Sequence, residues 1–157
     1  MAIETTARAE EILAMTVTDV DLRRGLATIR RGKGGRGRRT PFGPQTAQAA
    51  DRYMRLRRSH RLAGTPALWL GDRGKALAYH GLRNALQRRA AAAGIEGFHI
   101  HRLRHTAASR WLEAGGSEGG LMAVAGWRSR DMLDRYVADT AMDRAADEAR
   151  KLGLGDL

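Results

Sequence analysis

No cysteine occurs in the 157 residues, which excludes a disulfide framework, a thiolate metal site and a cysteine nucleophile, and which suits a reducing compartment. No apolar run approaches the roughly 18 consecutive residues that a membrane-crossing helix needs, so no membrane partner is expected. Glu4 and Glu10 stand where a secretory signal would be basic and then apolar, and a soluble cytoplasmic protein is the resulting expectation. Acidic residues are nearly missing from one region. Residues 23–61 hold thirteen basic residues and a single acid, Asp51, so that stretch nets +12 within a chain of +11 and the remainder nets −1. Such a local excess calls for a polyanion, of which nucleic acid is the commonest in a cell, although a merely solvated basic surface would have the same composition. The length suits one domain, residues 1–157.

Hydrophobic spacing predicts a fold of the α+β class, mainly α-helical with a small three-stranded antiparallel sheet. Residues 6–15 read as a helix with Ile12, Leu13 and Met15 inward and Arg8 in its first turn, where a cation opposes the helix dipole unless Glu11, three residues on, pairs with it. Between residues 17 and 42 the pattern changes to short alternating runs separated by Arg24-Gly25 and by a glycine-rich turn at residues 32–37 that carries Lys33. That turn lacks the spacing of a Walker phosphate cradle. It reads either as a cationic finger able to enter a groove or as an ordinary solvated loop.

Residues 45–61 read as a helix with Ala47, Ala50, Tyr53, Met54 and Leu56 inward and Arg52, Arg55, Arg57 and Arg58 mostly outward, a face able to track a phosphate backbone. Packing is the reading for the apolar run 66–71. Another helix follows over residues 79–93. The run beginning His101-Arg102-Leu103-Arg104-His105-Thr106 is amphipathic, with Leu103, Ala107, Ala108, Trp111 and Leu112 at helical spacing and a stop at Gly115-Gly116. His101 and Arg104 share a face one turn apart, pairing a group that titrates near neutrality with a permanent forked cation. Such a pair suits a phosphate oxygen in a reaction needing proton transfer, and it equally suits a basic surface helix. A glycine-rich turn at residues 115–120, an apolar stretch at 121–125, a helix at 129–138 and a weakly amphipathic helix in the tail, 140–157, complete the pattern. Tyr136, on the apolar face of the helix at 129–138, would ordinarily be a core residue.

Taken together and in order, these landmarks resemble the catalytic domain of the tyrosine recombinase (phage integrase) family over roughly residues 5–139. The resemblance is carried by Arg8 with Glu11, by Lys33 in Gly-Lys-Gly-Gly-Arg with Pro41 after the next strand, by His101-x-Leu-Arg104-His105-Thr106, by Gly126-Trp127, and by Tyr136 nine residues beyond Trp127. It implies that Arg8 and Arg104 grip one scissile phosphate and that Tyr136 attacks the phosphorus to leave a 3′-phosphotyrosine and a free 5′-hydroxyl. His101 would take the phenol proton, Lys33 would protonate the leaving oxygen, Trp127 would donate to the phosphate, and His105 and Glu11 would support the pocket. A phenol of ordinary pKa is about one part in a thousand ionised at pH 7, so the arginines are expected to lower the pKa of Tyr136. The implied partner is double-stranded DNA, tracked by Arg31, Arg36, Arg38, Arg39, Arg52, Arg55 and Arg58, with self-association on DNA into the family's tetrameric synapse. Neither metal nor other cofactor is implied.

Relative to the family pattern, the first helix of the catalytic domain and the amino-terminal DNA-binding domain are expected to be absent from this chain. The glycine-rich turn with Trp127 and Met132-Leu133 is most similar to integrases of phages and mobile elements of high-GC bacteria. Two other readings remain: a non-catalytic DNA-binding remnant of an integrase, and a metal-dependent hydrolase using His101 and His105, four apart on one helix but without a third ligand at a convincing spacing.

Overall fold

The alternating runs of the first third form a three-stranded antiparallel sheet in the computed structural model, which describes residues 1–30, 37–72 and 74–153. Its strands are β1 (Val20–Asp21), β2 (Leu26–Ile29) and β3 (Arg38–Pro41), in that spatial order. Val20 pairs with Ala27 across the first ladder, and Leu26 through Ile29 pair with Pro41 back to Arg38 across the second. Gly25 permits the first turn, because its φ is +61° and a Cβ there would stand 2.6 Å from the carbonyl oxygen of Phe42. Alternation along the strands turns Ala27, Ile29 and Thr40 inward.

Around this sheet the described residues form six α-helices, so the expected mainly helical α+β class is observed: α1 (Ala9–Leu13), α2 (Pro44–Arg57), α3 (Tyr79–Ala92), α4 (His101–Glu113), α5 (Glu118–Ala125) and α6 (Asp131–Lys151). None is long and apolar enough to cross a membrane. Several boundaries depart from expectation, among them the end of α2, expected at Arg61 and found at Arg57. The first helix begins only after Arg8, whose backbone is extended (φ −71°, ψ 155°). Gly119 and Gly120, expected in a turn, are helical, since the Ser117 side chain accepts the Gly120 N–H at 3.1 Å and starts α5 as an N-cap. Where two carboxyl-terminal helices were expected, α6 runs unbroken for 21 residues, because its sequence holds no glycine or proline to stop it.

Apolar burial falls into two clusters. One lies under the sheet and gathers Ala7, Ile12, Met15, Ala27, Ile29, Phe42 and Leu68. The other joins α4, α5 and α6 through Ala108, Leu112, Leu121, Ala125, Trp127, Leu133 and Tyr136. The expected inward set of α2 needs correction at its end. Leu56 is 73% exposed, whereas Arg57 is only 7% exposed. Ala50, Tyr53, Met54 and Arg57 recur at helical spacing, so the arginine inherits the inward face. Its guanidinium donates to the carbonyls of Ala63 at 3.0 Å, Thr65 at 2.6 Å, Ala67 at 2.7 Å and Leu68 at 3.3 Å, holding the segment that brings Leu68 into the core.

Arg57→Ala is therefore expected to cost about 3 kcal/mol, since several backbone acceptors lose their donor at once. Leu56→Ala should stay within about 0.5 kcal/mol despite removing the larger apolar group. Urea denaturation of the two variants checks this, and equal small losses would mean that the carbonyl cluster is not held by Arg57.

Candidate active site

The site is built where α5 ends between the two apolar clusters. A helix leaves its last four carbonyls without internal donors, and here each finds one. Met122 accepts the N–H of Trp127 at 3.0 Å and Ala123 that of Gly126 at 3.3 Å, a closure that Gly126 allows by adopting φ +67°. Val124 accepts from Nε of Arg38 at 2.7 Å, and Ala125 from Nη2 of Arg104 at 2.9 Å. Two cations thus meet the negative end of the helix dipole.

Arg104 leaves the buried face of α4 and is 9% exposed. Beyond Ala125 it donates through Nη1 to the carbonyl of Thr6, joining α4 and α5 to the segment before α1. Thr6 is itself unusual, a β-branched residue held at φ +49°. Two of the five N–H groups of Arg104 are committed to these carbonyls, which fixes the direction of the fork. Its Cζ lies 5.5 Å from the centre of the Trp127 ring.

Arg8 reaches the same place from the other cluster. Glu11 sits at the third position of α1, where its carboxylate accepts the Arg8 backbone N–H at 2.7 Å and Arg8 Nη1 at 3.1 Å. Arg38 closes on that carboxylate from β3, with Nη1 at 3.0 Å from Oε1 and Nη2 at 2.8 Å from Oε2. Burial is the largest influence on Glu11 and works to raise its pKa, but the hydrogen bonds and charges of Arg38 and Arg8 together outweigh it and hold the carboxyl below its ordinary value. For Arg104, burial first and then the neighbouring Arg8 and Arg38 charges push the guanidinium down to about 10, which leaves it cationic at neutral pH. Arg8 and Arg104 therefore stand close enough to repel one another. Ninety-six positions apart in the chain, they act on one another's charge within a single cluster.

Tyr136, in the second turn of α6, is 4% exposed and packs against two rings. The Trp127 ring stacks on it at 5.1 Å and 18°, and the His105 ring is tilted against it at 5.2 Å. The indole N–H of Trp127 is buried without a hydrogen-bond acceptor among the described residues, at a cost of about 1–3 kcal/mol. One expectation is overturned here. Burial pushes the Tyr136 phenol above its ordinary pKa of 10.0, and the opposing attraction of Arg104 and Arg135 does not cancel that rise.

The structure brings together Arg8, Glu11, Arg104, His105, Trp127 and Tyr136. His101 is exposed at the first position of α4, one turn before His105. The ring packed on Tyr136 is that of His105, a supporting group on the family resemblance. Lys33, with Arg31 and Arg36, lies outside the described residues. Arg39, Arg52, Arg55 and Arg58 are exposed, Arg55 in an ion pair with Asp51. Arg38 differs from the other arginines expected to track DNA: its side chain is 10% exposed and turned inward on Glu11. Strand alternation could have revealed this, because Arg38 shares the inward face of β3 with Thr40. No group of three or more histidine or acidic side chains able to hold a metal ion occurs among the described residues.

Comparison with known proteins follows the same lines. Residues 1–142 match the model of the phage integrase family. The tyrosine recombinase XerC of Chromohalobacter salexigens is 40% identical over 110 residues, covering 68% of this chain and 35% of that protein. XerD of Mycobacterium leprae is 36% identical over 118 residues, covering 71% and 37%. A shufflon-specific DNA recombinase of Escherichia coli is 31% identical over 139 residues, covering 87% and 32%. The chain thus spans about a third of the length of these curated relatives. Among solved structures, XerA recombinase superposes with a TM-score of 0.84 at 24% identity over 95% of this chain and 55% of that one. The Tn1549 transposon integrase in complex with circular intermediate DNA gives 0.72 at 21%, over 96% and 57%.

A raised phenol pKa has a measurable consequence. Ultraviolet titration of the protein minus its Tyr136→Phe variant should give a midpoint above 10, and a midpoint below 10 would show that Arg104 outweighs burial. Because the folded state favours the protonated phenol, its stabilising contribution is complete below about pH 10 and is lost as pH climbs through the folded value. Stability of the parent should then fall more steeply above pH 10 than that of Tyr136→Phe.

Proposed function

Because the chain belongs to the phage integrase family, we propose that its cleft cleaves and rejoins DNA strands through a covalent 3′-phosphotyrosine on Tyr136. The observation that carries this reading is the stacking of the Tyr136 ring on Trp127, with Arg104 over the Trp127 ring and within the influence of the Arg8 charge.

The scissile phosphate sits between the two guanidinium groups, which offset the charge that builds on its nonbridging oxygens as phosphorus becomes five-coordinate. Arg104 is already aimed by the carbonyls of Thr6 and Ala125, and the rest of its fork faces the anion. The phenolic oxygen of Tyr136 bonds to phosphorus while the bond to the 5′-oxygen breaks. The phenol proton passes to His101, and Lys33 gives a proton to the departing 5′-oxygen. The indole N–H of Trp127, without a partner among the described residues, supplies another donor to the phosphate. In the joining half-reaction a 5′-hydroxyl attacks the phosphotyrosine and restores the phenol, so the bond energy is conserved and no nucleotide is consumed.

A phenol with a raised pKa is a poor nucleophile in the free protein. The entering phosphate supplies the remedy by drawing Arg8 and Arg104 onto the reacting oxygens, so that deprotonation accompanies attack and does not precede it. DNA is held by Arg39, Arg52, Arg55 and Arg58 on the outer face and by the glycine-rich turn, in the cytoplasm. Self-association of four copies on DNA completes the reaction.

Given a nicked duplex that traps the cleaved strand, the protein should form an adduct that survives denaturing electrophoresis, with or without a chelator. Tyr136→Phe should form none, and an equal yield from that variant would remove Tyr136 from its role. Arg104→Ala should slow adduct formation about a thousandfold while DNA affinity changes little, since one phosphate contact among many is lost. Rate and affinity falling in proportion would make Arg104 a binding residue only.

A further inference from the structure

Arg38 is the most heavily used side chain in the cleft that the proposed reaction leaves without a task. Its three bonds go to two different elements: Nη1 and Nη2 to the two oxygens of Glu11 at 3.0 and 2.8 Å, and Nε to the carbonyl of Val124 at 2.7 Å. Gly126 lies against it so closely that a Cβ there would come within 3.2 Å of Cδ and Nη1 of Arg38. A guanidinium only 10% exposed and committed along both edges is badly placed to reach a DNA backbone.

The carboxylate of Glu11 stands between two arginines. Arg8 makes a single side-chain bond to it, through Nη1 at 3.1 Å, and Arg8 keeps 37% of its side chain exposed. Arg38 takes both oxygens in a fork, the stronger geometry. Without Arg38 that fork would be open to Arg8, and a bidentate pair would turn the Arg8 donors away from the cleft and neutralise its charge. The same loss would free the carbonyl of Val124, two residues before the turn that carries Trp127.

We propose that Arg38 is a positioning residue: by saturating Glu11 it leaves the charge of Arg8 available to a phosphate, and by closing the end of α5 it fixes Trp127 against Tyr136. This rests on the phosphotyrosine reading above, in which Arg8 and Trp127 act on the phosphate. Arg38 does not touch substrate. Its effect passes through Glu11 to Arg8 and through Val124 to Trp127.

The test uses Arg38→Gln, Arg38→Lys and the double variant Arg38→Gln/Glu11→Gln in the trapped-adduct assay, with DNA affinity measured alongside. Arg38→Gln should slow adduct formation about a hundredfold, the cost of displacing a catalytic group by about 1 Å, with affinity within about threefold. Removing the carboxylate charge as well should recover at least about tenfold, because Arg8 is then no longer neutralised. Arg38→Lys keeps the charge but cannot serve both Glu11 oxygens and Val124, so it should lose about tenfold. It decides the matter should the glutamine variant fail to fold. Carboxyl-carbon NMR of Glu11 gives a readout independent of cleavage, and its titration midpoint should rise by about one unit in Arg38→Gln and less in Arg38→Lys. Parent-like cleavage in a folded variant, a loss of affinity proportional to the loss of rate, or an unmoved Glu11 midpoint would each overturn the proposal. If the parent forms no adduct, the phosphotyrosine reading fails, while the Glu11 midpoint still decides whether Arg38 sets the charge of this cluster.

Discussion

The carboxyl end of α5 is the constraint on which the cleft depends. Four carbonyls must find donors there, and the local chain supplies only two, the N–H groups of Gly126 and Trp127. The other two come from distant elements, Arg38 on β3 and Arg104 on α4. Burying a guanidinium is costly unless its donors are engaged, and a helix end is costly unless its acceptors are. Each requirement answers the other. The sheet cluster and the helical cluster are tied at this point by polar bonds where an apolar seam would have served stability alone, and the tie leaves several positive charges beside one carboxylate.

Much of this could be read from the chain. The three strands, the helix beginning at His101 and the apolar face of the helix bearing Tyr136 follow from periods of two and 3.6, which are local properties. Pairing of Arg8 with Glu11 was accessible for the same reason, being a matter of three residues. What escaped was long-range or concerned the direction of a charged side chain. Arg57 and Arg38 were both counted among outward cations because arginine is usually exposed, yet both fall on inward positions of their own elements and meet backbone carbonyls. Geometry of the element decided their direction, and residue type misled.

Tyr136 shows a second kind of limit. Its neighbourhood of cations could be inferred from the family resemblance, and the sign of an arginine's effect on a phenol is certain. The balance against burial requires knowing how completely Trp127 and His105 enclose the ring, and only coordinates provide that. The outcome is a phenol whose pKa is held above its ordinary value. A side chain that ionised readily in the resting protein would offer a reactive phenolate to any electrophile. Packing against the Trp127 and His105 rings withholds it.

The unbroken course of α6 bears on how steadily the phenol is held. Tyr136 lies three residues past Leu133, which is wholly buried against α4 and α5, while the helix continues to Lys151, eighteen residues past that anchor. At about 1.5 Å per residue the tyrosine is roughly 4.5 Å from the pivot and the far end roughly 27 Å. A rocking motion that swings the tip by about 3 Å would shift the tyrosine backbone by only about 0.5 Å, a reduction of about sixfold set by helix geometry. The rod is geared down toward its buried end, and the Arg144–Glu118 ion pair at 3.6 Å ties it to α5 a second time, so disturbances at its last turn reach the tyrosine backbone strongly attenuated.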